Sequence, residues 1–139
     1  MSKRAVEYQL EEQIGFILRV VGQRHSNIFH SSINEKLTPT QFSVLVKLNE
    51  IGKCSQNFLG RETAMDIATI NGVVERLKKR GFIRTFKDPN DKRRLLIELT
   101  DGKVVREALV RGNQITKDTL SPLNKTEQKT LLKLLKRLR

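Results

Sequence analysis

From Asp66 to Leu99 the chain reads DIATINGVVERLKKRGFIRTFKDPNDKRRLLIEL, and this stretch decides the fold. Asp66 is a helix N-cap residue type, and Ile67, Ile70, Val73, Val74 and Leu77 follow at three- and four-residue steps until Gly81 stops the helix. Behind Gly81 the composition changes to that of strands, first Phe82 to Phe86 and then Arg94 to Leu99. Between them lie the turn residues Asp88-Pro89-Asn90-Asp91 and the cations Lys87, Lys92, Arg93 and Arg94. An amphipathic helix followed by a hairpin with a cationic tip is expected.

Upstream, Thr38 can cap a helix with Pro39 in its first position, and Phe42, Leu45, Val46 and Leu48 carry it to Ile51 before Gly52. Ser55 opens a short segment to about Arg61. Two short helices joined by a tight turn, the second strongly amphipathic, make a helix-turn-helix, and the hairpin behind it is a wing.

The two ends read as long helices. Val6, Leu10, Ile14, Ile17, Val21 and Ile28 recur over a helix from about Ala5 to Ile33. Thr100 or Asp101 caps another running to about Leu120 with Val104, Val105, Leu109 and Ile115, and Ser121-Pro122 breaks it. A last helix starts near Thr126, where Thr126 and Lys129 match a capping box poorly, and carries Leu131, Leu134, Leu135 and Leu138. These stripes exceed what one small core covers, so an isologous homodimer is expected. The fold class is mainly α with a small β-hairpin. A single domain, 1–139, would hold a winged-helix lobe at 35–100 and dimerisation helices at 1–34 and 101–139.

Composition narrows the function. Lys and Arg number 27 against 15 Asp and Glu, giving +12 on 139 residues, a balance that favours a polyanionic partner because neutralised phosphates release counterions. The charge is uneven: Asn124 to Arg139 holds six basic side chains and one acidic. The longest apolar stretch, Ile14 to Val21, is broken by Gly15 and Arg19, so no membrane span is expected. Lys3 and Arg4 are followed by Glu7, Glu11 and Glu12 rather than an apolar run, which argues against a secretory signal and for a cytoplasmic protein.

Chemistry is sparse. No glycine loop has P-loop spacing, and His25 and His30 sit five apart with Cys54 remote, so no enzyme, metal or cofactor is expected. Cys54 as a redox sensor would need an exposed, low-pKa thiolate; a lone cysteine between helices reads instead as a small core residue.

The third helix presents a distinctive outer face. With Ile70 at the centre of the buried side, Ile67, Val73, Val74 and Leu77 fall beside it. Ala68, Gly72, Glu75 and Lys79 lie opposite, flanked by Thr69, Asn71 and Arg76. Small residues at Ala68 and Gly72 permit close approach to a groove, while Thr69 and Asn71 can reach base edges, Asn in the bidentate pattern that suits adenine. Ser55, Gln56 and Asn57 at the start of the preceding helix complete the candidate DNA-facing set.

Three motifs in order resemble the MarR family of transcriptional regulators. Leu37-Thr38-Pro39-Thr40-Gln41 is similar to the family's LTxxQ at its second helix. Thr69 to Gly81 is similar to its recognition helix, and Asp88 to Arg93 with the later Leu99-Thr100 to its DPxDxR wing and the LT behind it. The resemblance covers almost the whole chain. It implies a homodimeric winged-helix protein on a pseudo-palindromic double-stranded DNA operator, with Arg93 entering a minor groove, Asp91 orienting it, and Lys92 and Arg94 beside it. It also implies a small, often aromatic anion bound between dimerisation helices and lobe, releasing a repressor. The segment Cys54 to Asp66 is most similar to members controlling breakdown of aromatic acids. Arg19, His25, Phe42, Phe58 and Arg61 are the candidate ligand residues, Arg19 or Arg61 pairing a carboxylate. The alternative is a winged helix that binds RNA or a protein partner.

Overall fold

The computed structural model describes residues 5–33 and 36–139. Lys3, Arg4, and the boundaries drawn at 34 and 35 lie outside them. A 3-10 turn, Leu10–Glu12, precedes α1 (Ile14–Ser32), α2 (Pro39–Ile51), β1 (Cys54–Ser55), α3 (Gln56–Glu62) and α4 (Ile67–Lys79). There follow β2 (Ile83–Lys87), β3 (Leu95–Leu99), α5 (Gly102–Leu120) and α6 (Lys125–Arg137).

Local rules explain most boundaries. Thr38 accepts from the Gln41 amide while the Gln41 side chain accepts from the Thr38 amide, each at 3.2 Å, with Pro39 at the first helical position of α2. Gln41 is itself buried and accepts a further bond from Arg80 Nη1 at 3.2 Å, which ties the start of α2 to the end of α4. Asp101 caps α5. Gly81 takes φ +79° after α4, and its carbonyl accepts from the Thr100 hydroxyl at 2.6 Å, closing the hairpin onto the helix that precedes it.

The sheet has three antiparallel strands in the order β1-β3-β2. Ile83 pairs with Leu99 and Lys87 with Leu95, while the two-residue β1 sets Cys54 against Ile97. The expected hairpin is present as β2 and β3, and β1 adds a third strand to it. The extra strand joins the wing to the chain entering α3. The core lies between α2, α4, α5 and the sheet. Val44, Leu45, Leu48, Leu59, Ile70, Val73, Val74, Leu77, Ile83, Ile97, Val105 and Ile115 are all buried there.

Three expectations are corrected. The first helix does not run from Ala5: Gln13 is extended (φ −92°, ψ 134°), and α1 begins after it. Val6 is 91% exposed, and a helix nucleus with no burial behind it is marginal in water. The last helix is capped two residues earlier than Thr126 suggests, by Asn124 with Glu127 in a reciprocal capping box at 2.9 Å each way. Ile67, placed with the core by its spacing, is 75% exposed. It is the first residue of α4, and helical side chains lean toward the N-terminus, so it overhangs the end of the helix.

The long helices are clamped together. Arg24 on α1 donates to the Thr119 and Asp118 carbonyls at 2.6 and 2.8 Å, satisfying the C-terminal end of α5, and His25 Nδ1 lies 2.8 Å from the Thr119 hydroxyl. No described helix is long and apolar enough to cross a membrane.

Candidate nucleic-acid interface and effector cavity

The short helix α3 packs closely on α4 because Gly60 has no side chain; a Cβ there would stand 3.3 Å from Ile70 Cγ2. Each helix starts on its own cap. Ser55 accepts from the Phe58 amide at 3.3 Å, and Asp66 from the Thr69 amide at 2.7 Å. Those bonds from Thr69 hold the Asp66 carboxyl below its ordinary range. Thr69 is thereby fixed at the exposed N-terminal turn of α4.

The outward stripe of α4 carries Ile67, Ala68, Asn71, Glu75 and Lys79, with Thr69 and Arg76 on its flanks, all exposed. Gln56 of α3 donates its amide to the Asn71 side-chain oxygen, so the two carboxamides form one unit across the helix pair. Ser55 is the α3 cap, and Asn57 is exposed beside it. Gly72 is not bare: the Arg76 guanidinium lies over it, 3.1 Å from where a Cβ would be. Amide, hydroxyl and guanidinium groups thus share one surface that can both donate to and accept from base edges.

At the wing tip, Asp88 N donates to Arg94 O and Arg94 N to Asp91 O, each at 2.9 Å. The Asp91 carboxylate accepts from the Arg93 amide at 3.1 Å and from its Nε at 3.4 Å, while the Arg93 side chain is 94% exposed. Asp91 therefore holds both the backbone and the guanidinium of Arg93. Arg94 stands 4.0 Å from Asp88, and Lys92 is exposed.

A cavity of about 230 Å³ lies where α1, α2 and α5 meet, lined by His25, Phe29, Pro39, Phe42, Ser43, Gly112, Ile115 and Thr116. Phe29 and Phe42 pack edge to face, centroids 5.7 Å apart. Gly112 makes room for the second ring, since a Cβ there would stand 2.7 Å from Phe42 Cζ. Of the five candidate ligand residues, this cavity brings together His25 and Phe42. Arg19 stacks instead over Phe16 at 5.5 Å on the exposed side of α1, and Arg61 over Phe58 at 5.9 Å on α3. Sequence reasoning missed Gly112, whose signal was a glycine in mid-helix, and it missed Ile115 and Thr116 one turn on. Among the described residues, no group of three His, Cys, Asp or Glu could hold a metal ion.

A helix-turn-helix, backed by a basic hairpin and carried on long flanking helices, defines a winged-helix protein. The MarR family model matches residues 37–95. The chain is 38% identical over 134 residues to the HTH-type transcriptional repressor NicR of Pseudomonas putida, covering 94% of this chain and 85% of that one. A probable transcriptional regulator from Pseudomonas aeruginosa superposes with a TM-score of 0.89 at 52% identity, covering 94% of this chain and 100% of that one. Bordetella bronchiseptica BpsR, whose DNA binding is regulated by 6-hydroxynicotinic acid, gives 0.89 at 39% identity, covering 96% and 97%. The chain belongs to the MarR family, which comprises transcriptional regulators rather than enzymes.

Proposed function

We propose that this regulator is a cytoplasmic, homodimeric repressor that binds a pseudo-palindromic double-stranded operator and releases it when a small aromatic carboxylate fills the cavity. The observation that carries the DNA reading is the shared surface of α3 and α4, with Gln56 bonded to Asn71, alongside a wing whose Arg93 is held outward by Asp91. Asn71, Thr69 and Gln56 read base edges, with Ser55, Asn57, Ala68 and Gly72 allowing close approach and Arg76 at their side. Arg93, supported by Lys92 and Arg94, enters the flanking minor groove. Residues 35–100 act as the reading lobe, and 1–34 with 101–139 join the two copies.

The effector reading is supported by BpsR and by the dimensions of the cavity. About 230 Å³ is below the range of roughly 300–1,000 Å³ for drug-sized ligands, which suits one ring. Phe29 and Phe42 flank the ring, while His25, Ser43 and Thr116 offer polar partners. Because the cavity is walled by α2 of the lobe and by the end helices α1 and α5, filling it alters the angle between them and hence the spacing of the two α4 helices. A ligand shifts that balance only by its differential affinity for the two states.

Fluorescence anisotropy on a palindromic duplex enriched from a random pool tests both parts. Wild-type binding should weaken steeply with salt, and Arg93→Ala should flatten the salt slope by about one unit. Asn71→Ala should cost about 1–3 kcal/mol at one base position only. 6-Hydroxynicotinate should weaken operator binding about tenfold, a typical coupling. An unchanged affinity at saturating 6-hydroxynicotinate would remove it as effector, and wild-type Arg93→Ala binding at every salt concentration would remove the wing.

A further inference from the structure

We infer that Ile67 is a specificity residue that reads the C5-methyl group of a thymine in each half-site, an inference that rests on the DNA-binding reading above. Ile67 stands in an unusual place for an isoleucine. It is 75% exposed at the first position of α4, while Ile70, Val73, Val74 and Leu77 on the same helix are buried. It lies four residues before Asn71, and side chains at i and i+4 share one helix face, so the isoleucine and the asparagine project toward the same partner.

Beside it runs a shallow groove of about 690 Å³ between α3 and α4, with Met65, Ala68 and Ile70 in its wall and Asn57, Arg61 and the N-capping Asp66 at its edge. The apolar wall continues the exposed side chain of Ile67, so the start of α4 offers an apolar surface beside polar groups. The thymine methyl is the one apolar group in the major groove, where it distinguishes T·A from every other pair. The N-terminal turn of a helix lying in that groove is the part that reaches base edges. Polar side chains on this surface can recognise adenine, guanine and cytosine edges by hydrogen bonds. Ala68 and Thr69 offer one methyl group each, whereas Ile67 presents a whole exposed aliphatic side chain at the start of the helix.

The expected effect follows from the burial of one methyl group, about fourfold in affinity per half-site. The test uses the full-length protein and a duplex enriched from a random pool by the wild type. Each thymine is replaced in turn by deoxyuridine, which removes the methyl group and leaves hydrogen bonding intact. Wild type should lose about fourfold at one symmetry-related thymine pair position per half-site. Ile67→Ala should bind the thymine duplex more weakly, should be indifferent to deoxyuridine there, and should still lose affinity when the base pair read by Asn71 is changed. Ile67→Val should retain most of the methyl discrimination, and thermal unfolding should be the same for all three because the side chain is exposed. Equal deoxyuridine penalties in wild type and Ile67→Ala, or no penalty in wild type, overturn the assignment while leaving DNA binding in place. Failure to enrich any duplex overturns the DNA-binding reading and this one with it.

Discussion

The lobe and the outer helices α1 and α6 handle their apolar residues in opposite ways. In α2, Val44, Leu45 and Leu48 are buried, and in α4 so are Ile70, Val73, Val74 and Leu77. In α6 no residue is buried, and in α1 only Phe29 is, although Ile14, Ile17, Leu18, Val20 and Val21 on α1, Leu132, Leu134 and Leu135 on α6 and Leu138 at its C-cap are large and apolar. The lobe closes its own core with side chains from one chain. The ends present stripes that no described part of the same chain covers, and contiguous exposed apolar surface marks an interaction site. Helix α5 stands between the two, with Val105, Ala108, Ile115 and Leu120 buried. The contrast is therefore between the lobe with α5, which close the core, and α1 and α6, which leave apolar surface exposed.

The largest effect should come from the ends. Replacing Leu134 and Leu138 together by Asp places charge in the proposed interface. Light scattering should then move from twice 16.0 kDa toward 16.0 kDa. Operator affinity should fall roughly 10²–10⁴-fold as linked half-site binding is lost, while the lobe keeps its circular dichroism signal. A dimer that survives this change would break the comparison at its main point.

Next in size is a cavity in the lobe. Leu77 is fully buried between α4 and the rest of the core, so Leu77→Ala should destabilise by about 2–5 kcal/mol in urea unfolding. The same truncation at exposed Leu134 should cost far less in a variant held monomeric. Equal costs at the two positions would mean that α6 is part of the core after all.

A smaller effect probes the clamp between two of the end helices, α1 and α5. Arg24→Ala removes two charge-assisted bonds to the Asp118 and Thr119 carbonyls at the end of α5. Because the site is open to solvent, the loss should be about 1 kcal/mol, read as a shift in the urea midpoint without a change in slope. A change of slope instead would show that the α1–α5 clamp sets the compactness of the whole molecule.

The same division explains what could be read in the sequence. Within the lobe, local chemistry repeats the tertiary answer: Thr38, Pro39 and Gln41 start α2, Asp66 starts α4, Gly81 ends the turn after it, and the Asp88–Asp91 turn forms the wing. At the ends, the apolar period was visible, but it carried the helix through Gln13, where no glycine or proline marks the break. The two-residue β1 was not legible because its only reason is pairing with Leu96 and Ile97, some forty residues on. Ile67 shared the core spacing and differed only in standing at the helix start. In the candidate site, the exposed residues of a single helix, α4, were legible as a face. Of the cavity, the family resemblance supplied His25 and Phe42 but not Gly112, since these come from three helices that only folding brings together.

The smallest effect concerns Cys54, which lies inside the closed lobe and can report how closed it is. Its thiol is buried where β1 meets β3, and burial pushes its pKa up against a lowering contribution from Arg94. The neutral thiol is therefore favoured in the folded state. The sign follows: the stability it contributes is complete below the ordinary thiol range near pH 8.5 and is lost as pH rises beyond it, because the unfolded chain ionises first. A thiol reagent at pH 8 should label the native protein slowly, at the rate at which the lobe opens, and the urea-unfolded protein at once. Leu77→Ala should speed labelling in proportion to its loss of stability, whereas the Asp substitutions at Leu134 and Leu138 should leave it unchanged. Operator affinity should be indifferent to hydrogen peroxide at concentrations that leave the methionines intact. Rapid labelling of the native wild type would show that Cys54 is accessible, and the lobe would then be no more closed than the helices that flank it.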